Sequence, residues 1–254
     1  MNILLSNDDG IQAKGINILA ERLIRDGHKV YVVAPASNRS AVSHHITMWN
    51  VNTLRKTEEN RWSCTGYPSD CVCIGLESDL FNVKFDVVIS GINEGANMGT
   101  DIVYSGTCGA ARQAVLNGVP GIALSVDPVI WNEENLKNMK YDALADFAAK
   151  NLEQMIALTN TETPRIFVNV NGASRDSYLG VKYCQSLCVR NYGDQFKIID
   201  RDGITESHFV PGGAAEAEDE KCDAYVVKEG YIAVSRVYAD PLAAEIVDGM
   251  QFKL

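Results

Sequence analysis

The chain has 254 residues, of which 46% are hydrophobic and 22% charged, a composition typical of a globular protein and not of a disordered one. Its formal net charge of −10 has the wrong sign for a protein that coats a nucleic acid polymer, so we expect no such partner. No apolar run approaches the roughly 18 residues of a membrane span, and polar residues follow Ile3–Leu5 directly, so we expect no membrane partner and a cytoplasmic protein.

Short apolar runs and amphipathic helical stretches alternate through the first two-thirds of the chain. Ile3–Leu5 predicts a buried strand, and apolar residues at helical spacing from Ile16 to Ile24 predict a helix that ends near Gly27. Further strands are predicted at Val30–Val33, Asp86–Ser90, Gly121–Ser125 and Ile166–Val170. Helices are predicted from about Thr107 to Asn117 and, as one long helix, from Tyr141 to Ile156.

Continuous apolar strands separated by helices predict an α/β fold, with a mainly parallel sheet covered on both faces. We expect a single domain over residues 1–254, divided into a core over 1–175 and a β-rich C-terminal extension over 176–254. The division follows a change of pattern after about Asn171, where longer and more irregular β segments begin. Thr47–Val51 and Trp62–Thr65 predict an inserted β-hairpin.

Three polar clusters follow three of the predicted parallel strands. Asn7-Asp8-Asp9-Gly10 follows the first strand, Asn38-Arg39-Ser40 follows the second, and the glycine-rich segment Gly91–Gly99 follows the next. The carboxyl ends of parallel strands lie at one edge of an open α/β sheet, where such folds bind ligands. We therefore expect the three clusters to converge on one crevice.

The adjacent carboxylates of Asp8 and Asp9 predict a cation site. Two carboxylates about 4 Å apart repel by roughly 1 kcal/mol in water and by about 4 kcal/mol at a protein surface. Mg²⁺ or Mn²⁺ would relieve that repulsion, because both ions prefer oxygen ligands. A turn or a helix N-cap is the alternative interpretation of the Asp-Asp-Gly sequence.

The segment Ser105-Gly106-Thr107 precedes a predicted helix of small residues. Free N–H groups and hydroxyls at a helix N-terminus bind anions, so the segment predicts a phosphate cradle, and Ser105 can act as an N-cap at the same time. His44 and His45 lie on an extended segment, where their side chains point to opposite faces, so we do not expect them to share a metal. A role for one of them in protonating a leaving group is left open.

Seven cysteines occur in the chain, and we expect free, mostly buried thiols. Neither Cys71-Val72-Cys73 nor the pair Cys184 and Cys188 has the Cys-x-x-Cys spacing of a structural zinc site.

Taken together, the ordered motifs resemble the SurE family of survival nucleotidases. The motifs are Ile3–Gly10, Arg39-Ser40, Gly66–Val72, Ser90–Asn97 and Tyr104–Thr107. The resemblance implies a Rossmann-like, doubly wound core, with a homodimer or homotetramer built through the C-terminal β elements. It also implies a phosphoric monoester hydrolase of the 5′-nucleotidase or acid-phosphatase type. Such an enzyme would use one divalent ion, Mg²⁺ or Mn²⁺, on nucleoside 5′- or 3′-monophosphates, and cleavage of short polyphosphate is left open.

Carried over by motif, the resemblance assigns two groups of site residues. The metal ligands are Asp8, Asp9, Ser40 and Asn93, and the two aspartates are also the catalytic residues. The phosphate-site residues are Asn97, Ser105, Gly106 and Thr107.

Three positions depart from the family pattern: Lys14 replaces a proline, Ala41 replaces a glycine, and Ser235-Arg236-Val237 stands where Thr-Pro-Leu is expected. These departures leave the metal ligands intact and bear on substrate preference and C-terminal packing.

Two chemical routes and one other class of protein remain open at this point. In the first route, the metal polarises a phosphoryl oxygen and lowers the pKa of a water that attacks in line, with Asp8 accepting the proton. In the second route, an aspartate attacks to form a phosphoenzyme. The alternative class is a receiver-like, Mg²⁺-binding signalling module, which is disfavoured because Asn93 and Asp127 follow the relevant strands and no lysine does.

Overall fold

The computed structural model describes residues 1–213, 215–216 and 219–241. The strands are β1 (Asn2–Ser6), β2 (Lys29–Pro35), β3 (Leu54–Glu58), β4 (Arg61–Cys64), β5 (Val87–Glu94), β6 (Gly121–Asp127), β7 (Ile166–Ala173), β8 (Val181–Tyr183), β9 (Arg190–Asn191), β10 (Gln195–Arg201), β11 (Ile204–Val210), β12 (Ala215–Glu216) and β13 (Ile232–Tyr238). The α-helices are α1 (Lys14–Arg25), α2 (Pro68–Glu77), α3 (Gly106–Leu116), α4 (Glu133–Lys137), α5 (Asp142–Lys150), α6 (Leu152–Leu158) and α7 (Asp223–Lys228), and a 3₁₀ helix spans Gly99–Val103.

The main sheet has nine strands in the order β3-β4-β2-β1-β5-β6-β7-β13-β8. Neighbouring strands from β4 through β7 are parallel, whereas β3 and β13 run antiparallel to β4 and β7. The chain passes outward from β1 to β2 and β4 and then returns to β5 on the other side of β1. This reversal creates a crevice between the carboxyl ends of β1 and β5, the place where ligands bind in doubly wound sheets. The predicted α/β class with a mainly parallel sheet is confirmed.

Helices cover the two faces of the sheet and bury its apolar strands. On one face α1 packs with α5, and its buried stripe includes Ile16, Leu19 and Leu23. On the other face α2 packs with α3, whose buried alanines Ala110 and Ala114 let it lie close to the sheet. The apolar side chains of β1 contribute to both layers, which is why the strand reads as a continuous apolar run.

Two local predictions were wrong in detail. The helix expected from Tyr141 to Ile156 is two helices, because the backbone leaves the helical region at Asn151, which ends α5 and begins α6. The predicted hairpin exists, but its first strand is β3 and not Thr47–Val51. The turn between β3 and β4 places Asn60 at a φ of 57°, a conformation that asparagine tolerates, and this fixes the pairing of Leu54–Glu58 with β4.

The region beyond residue 176 contributes both to the main sheet and to separate β elements. β8 and β13 join the edge of the main sheet, while β10 and β11 form an antiparallel hairpin of their own. Helix α7 was not predicted from the sequence. Residues 242–254 of the predicted extension lie outside the described residues. In the described part of the chain, none of the helices has the length and apolar character needed to span a membrane.

A disulfide joins Cys188 to Cys222, whose Cα atoms are 5.4 Å apart, so the expectation of free thiols was wrong at these two positions. The two residues are 34 positions apart, and only the folded chain brings them together. The other cysteines are free, as expected: Cys64, Cys71, Cys73, Cys108 and Cys184.

Candidate active site

The turn after β1 carries the two aspartates, and its own side chains shape it. The Asn7 side chain donates to the Gly10 carbonyl oxygen at 2.8 Å and accepts from the Gly10 N–H at 3.2 Å. Gly10 has a φ of +104°, which a residue with a side chain would adopt only with strain. The turn therefore fixes Asp8 and Asp9 at the carboxyl end of β1, beside the crevice. The turn interpretation of this motif is confirmed, and the cation site stays a prediction.

Asp8 is buried, and its carboxylate lies at the N-terminus of α3. Oδ1 accepts from the Thr107 hydroxyl at 2.7 Å, and Oδ2 accepts from the Thr107 N–H at 3.2 Å. Burial raises the pKa of Asp8, while the hydrogen bonds from Thr107 and from the Gly106 amide act in the opposite direction. The positive end of the helix dipole also favours the ionised form. Asp8 is thus a buried carboxylate held by the first turn of α3.

Asp9 lies on the β5 side of the crevice, where its Oδ2 accepts from the Glu94 N–H at 2.9 Å. Burial raises the pKa of Asp9 to about 7, and repulsion by Asp8 and then by Glu94 adds to the rise. In the described part of the chain, no cationic side chain compensates these two neighbouring carboxylates, whose pKa values are raised. A divalent cation would supply that charge, so the donor set fits a metal ion.

Asn93 and Ser40 lie on segments that contact the aspartate turn through the adjacent residues Glu94 and Arg39. The Asn93 amide nitrogen donates to the Gly95 carbonyl at 2.8 Å, which leaves its amide oxygen as the atom available to a cation. The N–H of Arg39 donates to the Asp8 backbone carbonyl at 2.6 Å, so the loop after β2 lies against the aspartate turn. Ser40 is the next residue and is exposed. The fold therefore brings the segments that carry the four predicted metal ligands to one edge of the sheet, and their binding of an ion stays a prediction.

The first turn of α3 contains three of the predicted phosphate-site residues. Ser105 is the N-cap, and its hydroxyl accepts from the Cys108 N–H at 3.0 Å. Gly106 lies against Asp8, since a Cβ at position 106 would be 2.9 Å from the Asp8 Cβ. Thr107 directs both of its donors to Asp8. The helix N-terminus predicted to cradle a phosphate therefore also holds a carboxylate.

Residues 3–193 of the chain match the family described as Survival protein SurE. This chain belongs to the SurE family.

The matching proteins are similar over most of their length. A 5′-nucleotidase SurE from Treponema pallidum is 44% identical over 187 residues, which cover 73% of this chain and 97% of that protein. A 5′-nucleotidase SurE from Caldanaerobacter subterraneus subsp. tengcongensis is 38% identical over 249 residues, which cover 94% of this chain and 92% of the relative. The crystal structure of the SurE protein from Aquifex aeolicus has a TM-score of 0.78 and 30% identity, and covers 95% of this chain and 94% of that one.

Asn97, the remaining residue predicted for the phosphate site, is the centre of a buried polar network. Its N–H donates to Asn171 Oδ1 at 2.8 Å, and its side-chain nitrogen donates to Ser125 Oγ at 2.8 Å. Its carbonyl oxygen accepts from the side chains of Asn169 and Asn171 at 2.8 and 3.1 Å. This network fixes the path of the glycine-rich loop.

Sequence reasoning missed Asn169 and Asn171, although a signal was present. Two asparagines two positions apart inside a continuous apolar strand lie on the same face of that strand. Polar side chains buried in this way require partners, and a neighbouring loop is the available source.

The two histidines have different partners. His44 Nε2 lies 2.7 Å from Gln113 Oε1, and burial lowers the pKa of His44. The His45 ring packs against the Tyr67 ring with 4.0 Å between centroids. Arg39 also lies over the Tyr67 ring. This contact joins the loop that carries Ser40 to the start of α2.

Two of the departures from the SurE pattern place a side chain in a hydrogen bond to a backbone carbonyl. The Lys14 ammonium donates to the Lys137 carbonyl at 3.0 Å, and the Arg236 side chain donates to the Leu158 carbonyl at 2.8 Å. The third, Ala41, has a φ of 58°, which accounts for glycine as the expected residue there.

Two other features of the structure are not part of this site. A cavity of about 680 Å³ is lined by residues that precede β5 and β6, among them Lys84 and Val119, so it lies at the opposite end of the parallel strands. Cys188, Cys222 and Asp223 also lie close together. The two sulfurs are bonded to each other, however, and disulfide sulfurs are not thiolate ligands.

Proposed function

We propose that this chain is a divalent-metal-dependent phosphomonoesterase that hydrolyses nucleoside monophosphates to nucleoside and phosphate. The observation that carries the proposal is the pair Asp8 and Asp9, two partly or fully buried carboxylates with raised pKa values at the crevice between β1 and β5. The 5′-nucleotidase name shared by the relatives supports the substrate class. The same name favours a phosphomonoesterase over a receiver-like signalling module.

The proposed metal ligands are Asp8, Asp9, Ser40 and Asn93, with Mg²⁺ or Mn²⁺ as the ion. Two carboxylates balance a double positive charge, while the hydroxyl and the amide oxygen add none, so a site of this composition is nearly neutral and does not repel a phosphate. A divalent ion bound here would polarise a phosphoryl oxygen and activate water for attack.

Asp8 and Asp9 accept hydrogen bonds from different elements beside the crevice and have different proposed roles. Asp8 is held at both oxygens by Thr107, so its orientation is fixed before any ligand binds. Asp9 accepts one hydrogen bond from the described residues, at Oδ2, so Asp9 and not the more tightly held Asp8 is the proposed proton acceptor or nucleophile. Ser105, whose hydroxyl can still donate, is the proposed direct contact to the phosphate. Gly106 and Thr107 contribute through Asp8, and Asn97 contributes by fixing the glycine-rich loop.

The β10–β11 hairpin is the proposed element of a homodimer or homotetramer. Phe196 and Phe209 pack on each other with 5.6 Å between ring centroids, yet remain 69% and 57% exposed. An exposed aromatic pair on a protruding hairpin is an aggregation hazard unless another chain covers it. Light scattering coupled to gel filtration, with the Phe196→Ser variant for comparison, would measure the assembly directly.

The proposed function is tested by phosphate release from a panel of substrates. The panel comprises 5′- and 3′-nucleoside monophosphates, short polyphosphate and ribose 5-phosphate, each with Mg²⁺, with Mn²⁺ and with EDTA. We expect release from nucleoside monophosphates that stops when EDTA is added and resumes when metal is restored. Release that is unaffected by EDTA, or no release from any nucleotide, would contradict the proposal.

A further inference from the structure

The loop between β6 and α4 exposes three large apolar side chains in succession. Val129, Ile130 and Trp131 are 63%, 61% and 66% exposed. Runs of three exposed apolar residues are avoided in soluble domains unless they have a function, because they promote association. This loop follows the carboxyl end of β6, the strand next to β5, so it lies on the same edge of the sheet as the candidate active site.

The indole of Trp131 reaches the metal-ligand loop. A Cβ built on Gly95 would lie 2.8 Å from the Trp131 Cη2 and 3.1 Å from its Cζ2, and the same point is 3.8 Å from the Asn93 amide nitrogen. Only a residue without a side chain permits this approach. Gly95 also has a φ of +120°, which favours glycine independently. The ring of Trp131 is therefore seated against the loop that presents Asn93.

Hydrogen bonds within the loop fix this position. The Val129 N–H donates to Asp127 Oδ1 at 2.8 Å, and the Asn135 side chain donates to the Ile130 carbonyl at 3.0 Å. Val129 has a φ of 69°, a strained conformation for a β-branched residue. Strain of this kind persists where the surroundings impose it, and it clusters at ligand-binding segments. The backbone that leads to Trp131 is thus held by hydrogen bonds within the loop.

We propose that Trp131 is a substrate-specificity residue, on which the base of a nucleoside monophosphate stacks while its phosphate lies at Asp8, Asp9 and Asn93. This inference rests on the proposed function and adds how the nucleoside is recognised. The flat face of an indole stacks on purines and pyrimidines alike, so it selects nucleotides over simple phosphate monoesters without choosing a particular base. Val129 and Ile130 have no π face and provide the matched comparison within the same loop.

Three variants separate stacking from general damage to the loop: Trp131→Ala, Trp131→Phe and Ile130→Ala. With AMP as substrate, we expect Trp131→Ala to raise KM by about fivefold or more, because base stacking of about 1 kcal/mol corresponds to that factor. Trp131→Phe should retain most of the affinity, and Ile130→Ala should stay within about twofold of wild type. With ribose 5-phosphate, which has no base, all three variants should match wild type.

Direct binding gives a second readout. The chain has three tryptophans, so replacing Trp49 and Trp62 with phenylalanine leaves Trp131 as the sole indole fluorophore. With Mg²⁺ present, a phosphonate analogue of AMP that cannot be hydrolysed should quench its fluorescence, whereas ribose 5-phosphate should not.

The outcomes distinguish this inference from the function on which it rests. A wild-type protein that releases no phosphate from nucleotides would overturn both. A wild-type protein active on AMP, with an unchanged KM in Trp131→Ala, would overturn the stacking role alone. A changed assembly state in Trp131→Ala, with unchanged AMP affinity, would assign the exposed loop to a subunit contact and would also overturn it.

Discussion

Thr107 donates its hydroxyl to one oxygen of Asp8 and its backbone N–H to the other, at 2.7 and 3.2 Å. The two residues are 99 positions apart, and the pair ties the end of β1 to the first turn of α3. Hydrogen bonds of this kind orient a ligating carboxylate before the metal arrives. The orientation of Asp8 is thus part of the fold and does not depend on the ion.

Thr107→Val tests this arrangement, because valine keeps the shape of the side chain and removes the hydroxyl. We expect Mn²⁺ affinity to fall by about 10- to 100-fold, the range found for partners that orient metal ligands. Isothermal titration of the metal-free protein with Mn²⁺ would measure the change. Thr107→Ser is the matched control and should stay close to wild type. Equal Mn²⁺ affinities for Thr107→Val and wild type would show that Thr107 does not prepare Asp8.

The stability of the metal-free protein should depend on pH in a defined direction. The pKa of Asp9 is about 7 in the folded protein, and 3.8 is its ordinary value. Between these values the folded state binds more protons than the unfolded state, so the free energy of unfolding falls as the pH rises from about 4 to 7. The raised pKa of Asp8 acts in the same direction.

Thermal unfolding in EDTA across this pH range would measure the effect. Saturating Mn²⁺ should flatten the dependence by neutralising the two carboxylates, and Asp9→Asn should remove most of it. A metal-free protein whose Tm rises steadily from pH 4 to 7 would contradict the electrostatic account of the site.

Ala41 adopts a left-handed conformation beside the proposed ligand Ser40. An alanine in this region is disfavoured by roughly 1 kcal/mol, whereas glycine adopts it freely, although glycine also gains entropy in the unfolded chain. We expect Ala41→Gly to stabilise the fold by about 0.5 kcal/mol, measured by urea unfolding. Asn60→Gly at the β3–β4 turn is the comparison, where asparagine already tolerates the conformation and the gain should be smaller.

Asp223 is a buried carboxylate that supports the glycine-rich loop from the C-terminal region. It accepts from the N–H groups of Gly99, Cys188 and Ala224 at 2.7, 3.1 and 2.9 Å. Asp223→Ala would leave these buried donors without their partner, so we expect a loss of about 3 kcal/mol or more in the free energy of unfolding. The control is Asp219→Ala, which removes a carboxylate from the same region of the chain and should cost clearly less in the same urea experiment. Similar losses in the two variants would contradict a supporting role specific to Asp223.

Much of the core could be predicted from the sequence because its signals are local. β1, β2 and β5 are continuous apolar runs, α1 has a clean helical stripe, and the polar residues at the strand ends converge as the topology requires. Asp8 and Asp9 were proposed as a cation site from their chemistry and position, whereas Ser40 and Asn93 were proposed from the family resemblance. The convergence of their segments at the crevice follows from sheet geometry, which is the same for any parallel α/β fold.

The features that were missed depend on contacts between distant residues. From its sequence context, Thr107 is expected to donate hydrogen bonds to a phosphate. Only the packing of α3 against β1 shows that its hydroxyl and its N–H both donate to Asp8. Helix α7 is a six-residue segment, too short to display a helical period. Trp131 lies in an irregular loop, and its relation to Gly95 becomes visible only once β5 and β6 are adjacent.

The central claim is that Asp8 and Asp9 form a metal site at which nucleotides lose their phosphate. The most direct test compares wild type with Asp9→Asn in paired measurements of Mn²⁺ affinity and phosphate release from AMP, with circular dichroism to confirm the fold. We predict that Asp9→Asn keeps its fold, binds Mn²⁺ much more weakly and releases phosphate at a small fraction of the wild-type rate at any Mn²⁺ concentration. A folded Asp9→Asn that hydrolyses AMP as fast as wild type, with the same Mn²⁺ dependence, would contradict the claim.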